Sequence, residues 1–267
     1  LMAKDRFRKF RFINRLLVEA VLFLALVFVL SVLGSFSYNM VLWRQWPWSE
    51  EGLSEVAVTM FSYGMIYNLM FWTAVGIFTM VAIHLIEFYG REKFQYTILG
   101  RYAKPLVESR VFMFLDIRNS TTLAEQYGHG KWFEFINFFI EDISDAIISC
   151  EGEVYQYIGD EIVITWKSNR GFADNNCLRC YFSIVDIIDK NVEKYNRQFG
   201  FVPSFKAAIH HGEVTTGEIG VLKKEIVYTG DVLNTTKRIQ EMCDVLKSDL
   251  LISEATYLNL ERSDEYN

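Results

Sequence analysis

Between Ala20 and Trp43 the chain runs for 24 residues without Asp, Glu, Lys or Arg, and a second such run, Val56 to Ile86, is 31 residues long. At 1.5 Å per residue a helix of about 20 residues crosses roughly 30 Å of hydrocarbon, so each run is long enough to be a transmembrane helix. A buried helix of a soluble core rarely needs so long a stretch without a charge. The second run exceeds what a bilayer requires, which predicts that one end continues into water as a helix. His84, close to that end, fits an interfacial exit.

The flanks give an orientation. Lys4, Arg6, Arg8, Lys9, Arg11 and Arg15 precede the first run, and Arg91, Lys93, Arg101 and Lys104 follow the second. The loop between them carries Glu50, Glu51 and Glu55 against Arg44 alone. Positive residues stay on the cytoplasmic side, so both termini are expected in the cytosol, in a cell-membrane protein with two spans. Trp43, Trp46 and Trp48 gather where the first helix would leave the bilayer, as amphipathic rings do at a headgroup boundary. A cleaved signal peptide fits poorly, because its apolar core is shorter and a small-residue cleavage site follows it. The chain begins with Leu1 and not Met, which is consistent with a fragment carrying further spans upstream.

The organisation expected is a membrane region over 1–87, a cytoplasmic helical linker over 88–109 and a cytosolic domain over 110–267. The linker has mixed charge, Gly90, Gly100 and Pro105, and no clean period. In the domain, Val111 to Leu115 is an apolar run ending on Asp116, as a buried central strand would. Thr122 and Glu125 are spaced as a capping box, and Lys131 to Ser149 has apolar residues at helical intervals. Glu153 to Ile158 and Glu161 to Trp166 alternate around Gly159-Asp160, a hairpin signal. A helical stretch from Ala173 to Arg197, a strand at Phe205 to His210, a glycine-punctuated segment Gly212 to Gly220, a strand at Glu225 to Tyr228 and a helix from Asp231 to Met242 complete the pattern. This order fits a sheet covered by helices. The net charge of −6 argues against a nucleic-acid partner, whose binders carry a basic surface. Four cysteines without framework spacing fit a reduced compartment.

Asp116 ends one strand and Asp160 sits in a hairpin turn, so adjacent strands could bring two hard oxygen ligands together, a set suited to Mg²⁺ or Mn²⁺ with phosphate oxygens. Singly, each aspartate reads equally as a turn or cap residue. Phe112-Met-Phe-Leu-Asp-Ile117, Tyr157-Ile-Gly-Asp-Glu161 and Gly230-Asp-Val-Leu-Asn-Thr-Thr-Lys-Arg238 occur in one order at one spacing. Together they resemble the class III nucleotidyl cyclases, the adenylate and guanylate cyclases, over roughly Arg110 to Ala255. The resemblance implies an α+β cyclase catalytic domain, a ferredoxin-like sheet with helices packed on it. It implies two divalent metals on Asp116 and Asp160 with the backbone carbonyl of Ile117. It also implies that Asn234 orients the ribose while Arg238 stabilises charge on the α-phosphate as the 3′-oxygen attacks and pyrophosphate leaves. Asn234 and Arg238 lie four apart and share one helix face. Metal aspartates and the Asn/Arg pair come from opposite subunits in this family, so a homodimer with shared sites is expected.

Several positions depart from the family. Base-contact positions that usually hold lysine with aspartate or threonine in adenylate cyclases, or glutamate with cysteine or serine in guanylate cyclases, hold Gln156 and Val227. A glutamine amide both donates and accepts and could meet either purine edge, whereas Val227 can only pack. ATP is the favoured substrate and GTP the alternative. The triphosphate lysine that the family carries on a late strand has no counterpart before Asn267, and Leu250 to Ser253 reads as part of an unfinished domain. Ala208-Ile-His-His-Gly212 is similar to a strand of the same family. His210 and His211 point to opposite strand faces and read as structural, and Cys177-Leu-Arg-Cys180 reads as core and surface thiols. The reading is therefore a membrane-anchored homodimeric adenylate cyclase making cyclic AMP. A catalytically silent cyclase-like receptor or scaffold is the alternative from another class. A diguanylate cyclase is a weak third, because Ile158 and Ile162 break its turn pattern.

Overall fold

Long apolar runs without a strand period produce two helices first, α1 (Phe12–Trp43) and α2 (Tyr63–Tyr89). The computed structural model describes residues 12–43, 54, 58 and 62–261, in two units, Leu1–Phe94 and Gln95–Asn267. Within the first unit Ser62 caps α2, its hydroxyl accepting the Met65 N–H at 3.2 Å. The stretch Tyr63–Ile86 is 24 residues with mean hydropathy 2.0, long and apolar enough to cross a membrane, and is the one such helix among the described residues.

The first expected span differs from this. Ala20 to Trp43 is helical throughout, but the strongly apolar part, Val18–Gly34, is 17 residues, about 25 Å of rise. Beyond it Ser35, Ser37, Tyr38 and Asn39 dilute the hydropathy although no charge appears. Two full spans are thus not equally marked. The start of the second run and the Trp46, Trp48, Glu50, Glu51 and Glu55 loop lie outside the described residues. Large apolar side chains on both helices face outward, among them Leu26, Leu30, Phe71 and Phe78. His84 Nε2 lies 4.0 Å from Glu19 Oε2, pairing the start of α1 with the end of α2.

After α3 (Arg91–Ile98) comes β1 (Leu106–Ile117), which takes up the last four residues of the expected linker and is far longer than its apolar run. Next come α4 (Ser120–Tyr127) and α5 (His129–Ser149). Asn119 precedes α4 in the left-handed region, φ 58°, and Thr122 and Glu125 lie inside the helix, so the expected capping box is not formed. The hairpin is β2 (Glu153–Ile158) and β3 (Glu161–Lys167), with Gly159 taking a φ of 65° at its turn. After α6 (Ser168–Phe172), which the sequence reading did not expect, the predicted single helical stretch breaks into a 3₁₀ turn over 173–175, α7 (Asn176–Lys190) and α8 (Val192–Phe199). Then follow β4 (Phe205–Ile219), β5 (Glu225–Thr229), α9 (Asp231–Leu246), β6 (Leu250–Ile252) and α10 (Glu254–Tyr257).

The strands run β2-β3-β1-β4-β5, each neighbour antiparallel, with β6 parallel to β4. The first four follow the order of a βαββαβ ferredoxin-like unit. Gly212 to Gly220 is mostly strand and not an irregular segment. Gly212 is needed there because a Cβ would stand 2.6 Å from Val232 Cγ2, so its absence lets α9 approach the sheet. On one face Val111, Met113, Leu115 and Ile117 pack with Phe135, Phe139 and Ile143 of α5 and Ile184 of α7. On the other, Phe112, Phe114, Val163 and Val214 pack with Val232 of α9. All four cysteines are free and buried, so none of them is a surface thiol. His210 bonds Ser253 Oγ at 2.7 Å and His211 bonds Ser109 Oγ at 2.8 Å, each serving the structure.

Candidate active site

Alternation along β1 sends Arg110, Phe112, Phe114 and Asp116 to the face that α9 covers in part. Asp116 ends that row opposite Glu161, the first residue of β3, and the two-residue turn sets Asp160 beside it. The Asp116 carboxyl is pushed up, first by burial and then by the negative charge of Asp160. Asp160 Oδ2 is buried and has no hydrogen-bond partner. Two carboxylates held together in this way, one with an orphaned oxygen, fit a divalent cation with oxygen preference. Among the described residues no cluster of three or more His, Cys, Asp or Glu is placed to hold a metal. A cation here would therefore take further ligands from main chain, water or substrate. Ile117 buries its side chain in the core, leaving only its main chain for such a role.

Three basic residues surround this end, and sequence reasoning singled out none of them as a site neighbour. Lys206 Nζ stands 3.6 Å from Asp116 Oδ2 and donates to Asp244 Oδ2 at 2.5 Å. Lys237 donates to Glu161 and, at 2.8 Å, to Gln240 Oε1. Arg118 donates to Asp244 Oδ1 at 2.6 Å, to Asp249 Oδ1 at 3.0 Å and to the Ser248 carbonyl at 3.0 Å. A lysine inside the apolar strand at Phe205 to His210, and another directly before Arg238, were the available signals.

The remaining candidates form a second group. Asn234 and Arg238 are exposed on one face of α9, while Val232, Thr236, Gln240 and Cys243 bury the other. Neither Asn234 nor Arg238 has a hydrogen bond or ion pair, with the aspartates or otherwise, among the described residues. Gln156 is exposed on β2 and Val227 half-buried on β5, at opposite ends of the five-strand path. The sheet curls enough to bring these edges together. The Tyr155 and Tyr228 rings lie 4.7 Å apart, and the Tyr228 N–H donates to Tyr155 Oη at 3.4 Å. A register shift between Val154 and Gln156 bends β2 at that point. Gln156 and Val227 are the immediate neighbours of these two tyrosines.

The adenylate and guanylate cyclase catalytic domain family matches residues 103–267, and the chain belongs to that family. It is 39% identical over 167 residues to adenylate cyclase 2 of Rhizobium meliloti (strain 1021), 62% of this chain and 46% of that protein. It is 25% identical over 164 residues to an adenylate cyclase of Anabaena cylindrica, 58% of this chain and 31% of that one. The chain thus spans less than half the length of these curated relatives. Its fold is similar to that of a bacterial light-regulated adenylyl cyclase, with a TM-score of 0.62 at 16% identity over 76% of this chain and 60% of the other.

Proposed function

We propose that the chain is a membrane-anchored nucleotidyl cyclase that converts ATP to 3′,5′-cyclic AMP and pyrophosphate at a homodimer interface. The observation that carries this reading is the Asp116–Asp160 pair, in which the Asp160 charge helps raise the Asp116 carboxyl beside an Asp160 oxygen with no hydrogen-bond partner. Asp116, Asp160 and the Ile117 carbonyl would hold Mg²⁺ or Mn²⁺. Such ions supply Lewis-acid polarisation of phosphoryl oxygens. Asn234 orients the ribose so that its 3′-oxygen lies in line with the α-phosphorus. Arg238 takes up the charge that grows on the α-phosphoryl oxygens while the bond to the bridging oxygen breaks. Gln156 reads the purine edge and Val227 packs against the ring.

The exposure of Asn234 and Arg238, with no bond to Asp116 or Asp160 in one chain, favours a site completed by a second copy. Tyr157 and Ile158, apolar and exposed beside Asp160, are the kind of surface such a partner covers. The outward apolar faces of α1 and α2 support a membrane anchor of two helices per chain, with both termini cytosolic from the basic flanks. The proposed division is a membrane region over 1–87, a linker after it and a catalytic domain over 110–267 as read from sequence, whose first strand already begins at Leu106. The test is to solubilise the chain in detergent and assay products from ATP and GTP with Mg²⁺ or Mn²⁺. Equal yields of cyclic AMP and pyrophosphate from ATP are expected. A cyclic dinucleotide, or no turnover of either nucleotide by a folded dimer, contradicts the reading.

A further inference from the structure

We propose that Arg110 is a positioning residue for purine selection: buried behind the base-contact positions, it ties strand β2 to strand β5 and sets the gap between Gln156 and Val227. The proposal rests on the reading of those two residues as the base contacts.

Arg110 has no exposed side-chain surface, which for a guanidinium demands compensation. Its Nε donates to Glu108 Oε2 at 3.1 Å. Its Nη1 lies 3.6 Å from Glu153 Oε2, on β2. Its guanidinium carbon is 4.6 Å from the centroid of the Tyr228 ring, on β5. One side chain on the central strand therefore engages both edges of the sheet. β2 and β5 share no strand pairing, so the direct contacts between them all involve side chains, among them the Tyr155 hydroxyl that accepts the Tyr228 N–H. Among these links are Glu153–Arg110–Tyr228 and the direct Tyr155–Tyr228 contact. Tyr228 adjoins Val227, and Glu153 lies three residues before Gln156 with the bulge between them.

A site that reads a base through one amide depends on holding that amide within about half an ångström of its place. A change in the span of this link shifts Gln156 relative to Val227. It leaves Asp116 alone, because Arg110 is six residues back along β1, roughly 20 Å at 3.3 Å each. Loss of the link should consequently weaken nucleotide binding and discrimination more than turnover. A lysine cannot restore it, since the ammonium lacks the planar face that stacks on Tyr228 and the fork that spans two carboxylates.

The experiment compares Arg110→Met, Arg110→Lys, Tyr228→Leu and Gln156→Ala, singly and as the Arg110→Met/Gln156→Ala pair, in the full detergent-solubilised chain. KM and kcat are measured for ATP and GTP, and folding is checked by melting. Arg110→Met is expected to raise KM for ATP about tenfold, with a smaller loss in kcat, and to bring the ATP-to-GTP ratio of kcat/KM towards one. Arg110→Lys should behave likewise, and the double variant should add little to either single change, because both act on one contact. Tyr228→Leu keeps Glu108 and Glu153 on Arg110 and carries the same expectation if Arg110→Met does not fold. A shifted ratio in Gln156→Ala with an unchanged ratio in folded Arg110→Met or Tyr228→Leu overturns the proposal alone. An unchanged ratio in Gln156→Ala overturns the base-contact reading and the proposal with it, and fully additive effects overturn the coupling between the two residues.

Discussion

Lys206 lies between Asp116 and Asp244, its ammonium 3.6 Å from one carboxylate and 2.5 Å from the other. That relationship predicts how the chain responds to loss of an aspartate. Removing Asp116 leaves Lys206 with a partner and relieves Asp160 of a like charge, so neither Asp116→Ala nor Asp160→Ala should lower the melting temperature much. Turnover should instead fall at least about a hundredfold, the usual cost of losing an electrostatic centre. Kinetics at saturating Mn²⁺ and melting in chelator check both halves. Near-normal turnover in either variant means that these residues do not hold the metal.

Glu108 provides a pH signature remote from the metal end. Burial opposes its ionisation most strongly, but hydrogen bonds from Tyr102 at 2.9 Å and Arg110 at 3.1 Å outweigh burial and hold the carboxyl below the ordinary carboxylate range. A carboxyl lowered in the folded state stabilises it above the unfolded pKa, and that contribution is lost as pH falls through the folded value. The melting-temperature advantage of the wild type over Glu108→Gln should therefore be constant above about pH 5 and shrink below it. A gap that widens on acidification would contradict this assignment.

Membrane topology is open to thiol labelling, with one adjustment that the fold dictates. Because all four native cysteines are buried, they report nothing about sidedness. Val221, 96% exposed at the tip of the β4–β5 hairpin, is a suitable site to report on the side proposed as cytosolic. An impermeant maleimide should label Glu51→Cys in intact cells and Val221→Cys only after permeabilisation. The reverse pattern overturns the orientation drawn from the basic flanks.

The contrast between what was legible and what was not has physical causes. Asp116 and Asp160 could be paired from sequence because a strand end and a tight hairpin are local features that adjacent strands must juxtapose. β1 was read five residues long because Glu108, Ser109 and Arg110 interrupt its apolar run. In the fold Glu108 accepts hydrogen bonds from Arg110 and from Tyr102 in the preceding turn, and Ser109 pairs with His211 on the neighbouring strand. Gly212 read as loop because its reason is a contact with Val232, on an element twenty residues later. The curl that brings Gln156 towards Val227 depends on a tyrosine pair 73 residues apart, which no local period records. The same holds for Lys206 and Asp116, whose proximity is set by the β1–β4 register. α1 runs through Arg15 and Glu19, so the charge-free window located the apolar segment but not the helix start.

The claim at the centre is that one nucleotide is turned over by residues of two chains, and co-expression of Asp160→Ala with Arg238→Ala tests it most directly. Each variant alone should be nearly inactive. In a mixed dimer one site carries both lesions and the other carries neither. Random pairing makes about half of the dimers mixed, each with one intact site, so activity should recover to about a quarter of the wild-type value per subunit. Association is verified by differential tags. Co-expressed variants that associate yet stay as inactive as either alone would show that both residues act within one subunit or not in catalysis, contradicting the shared-site account.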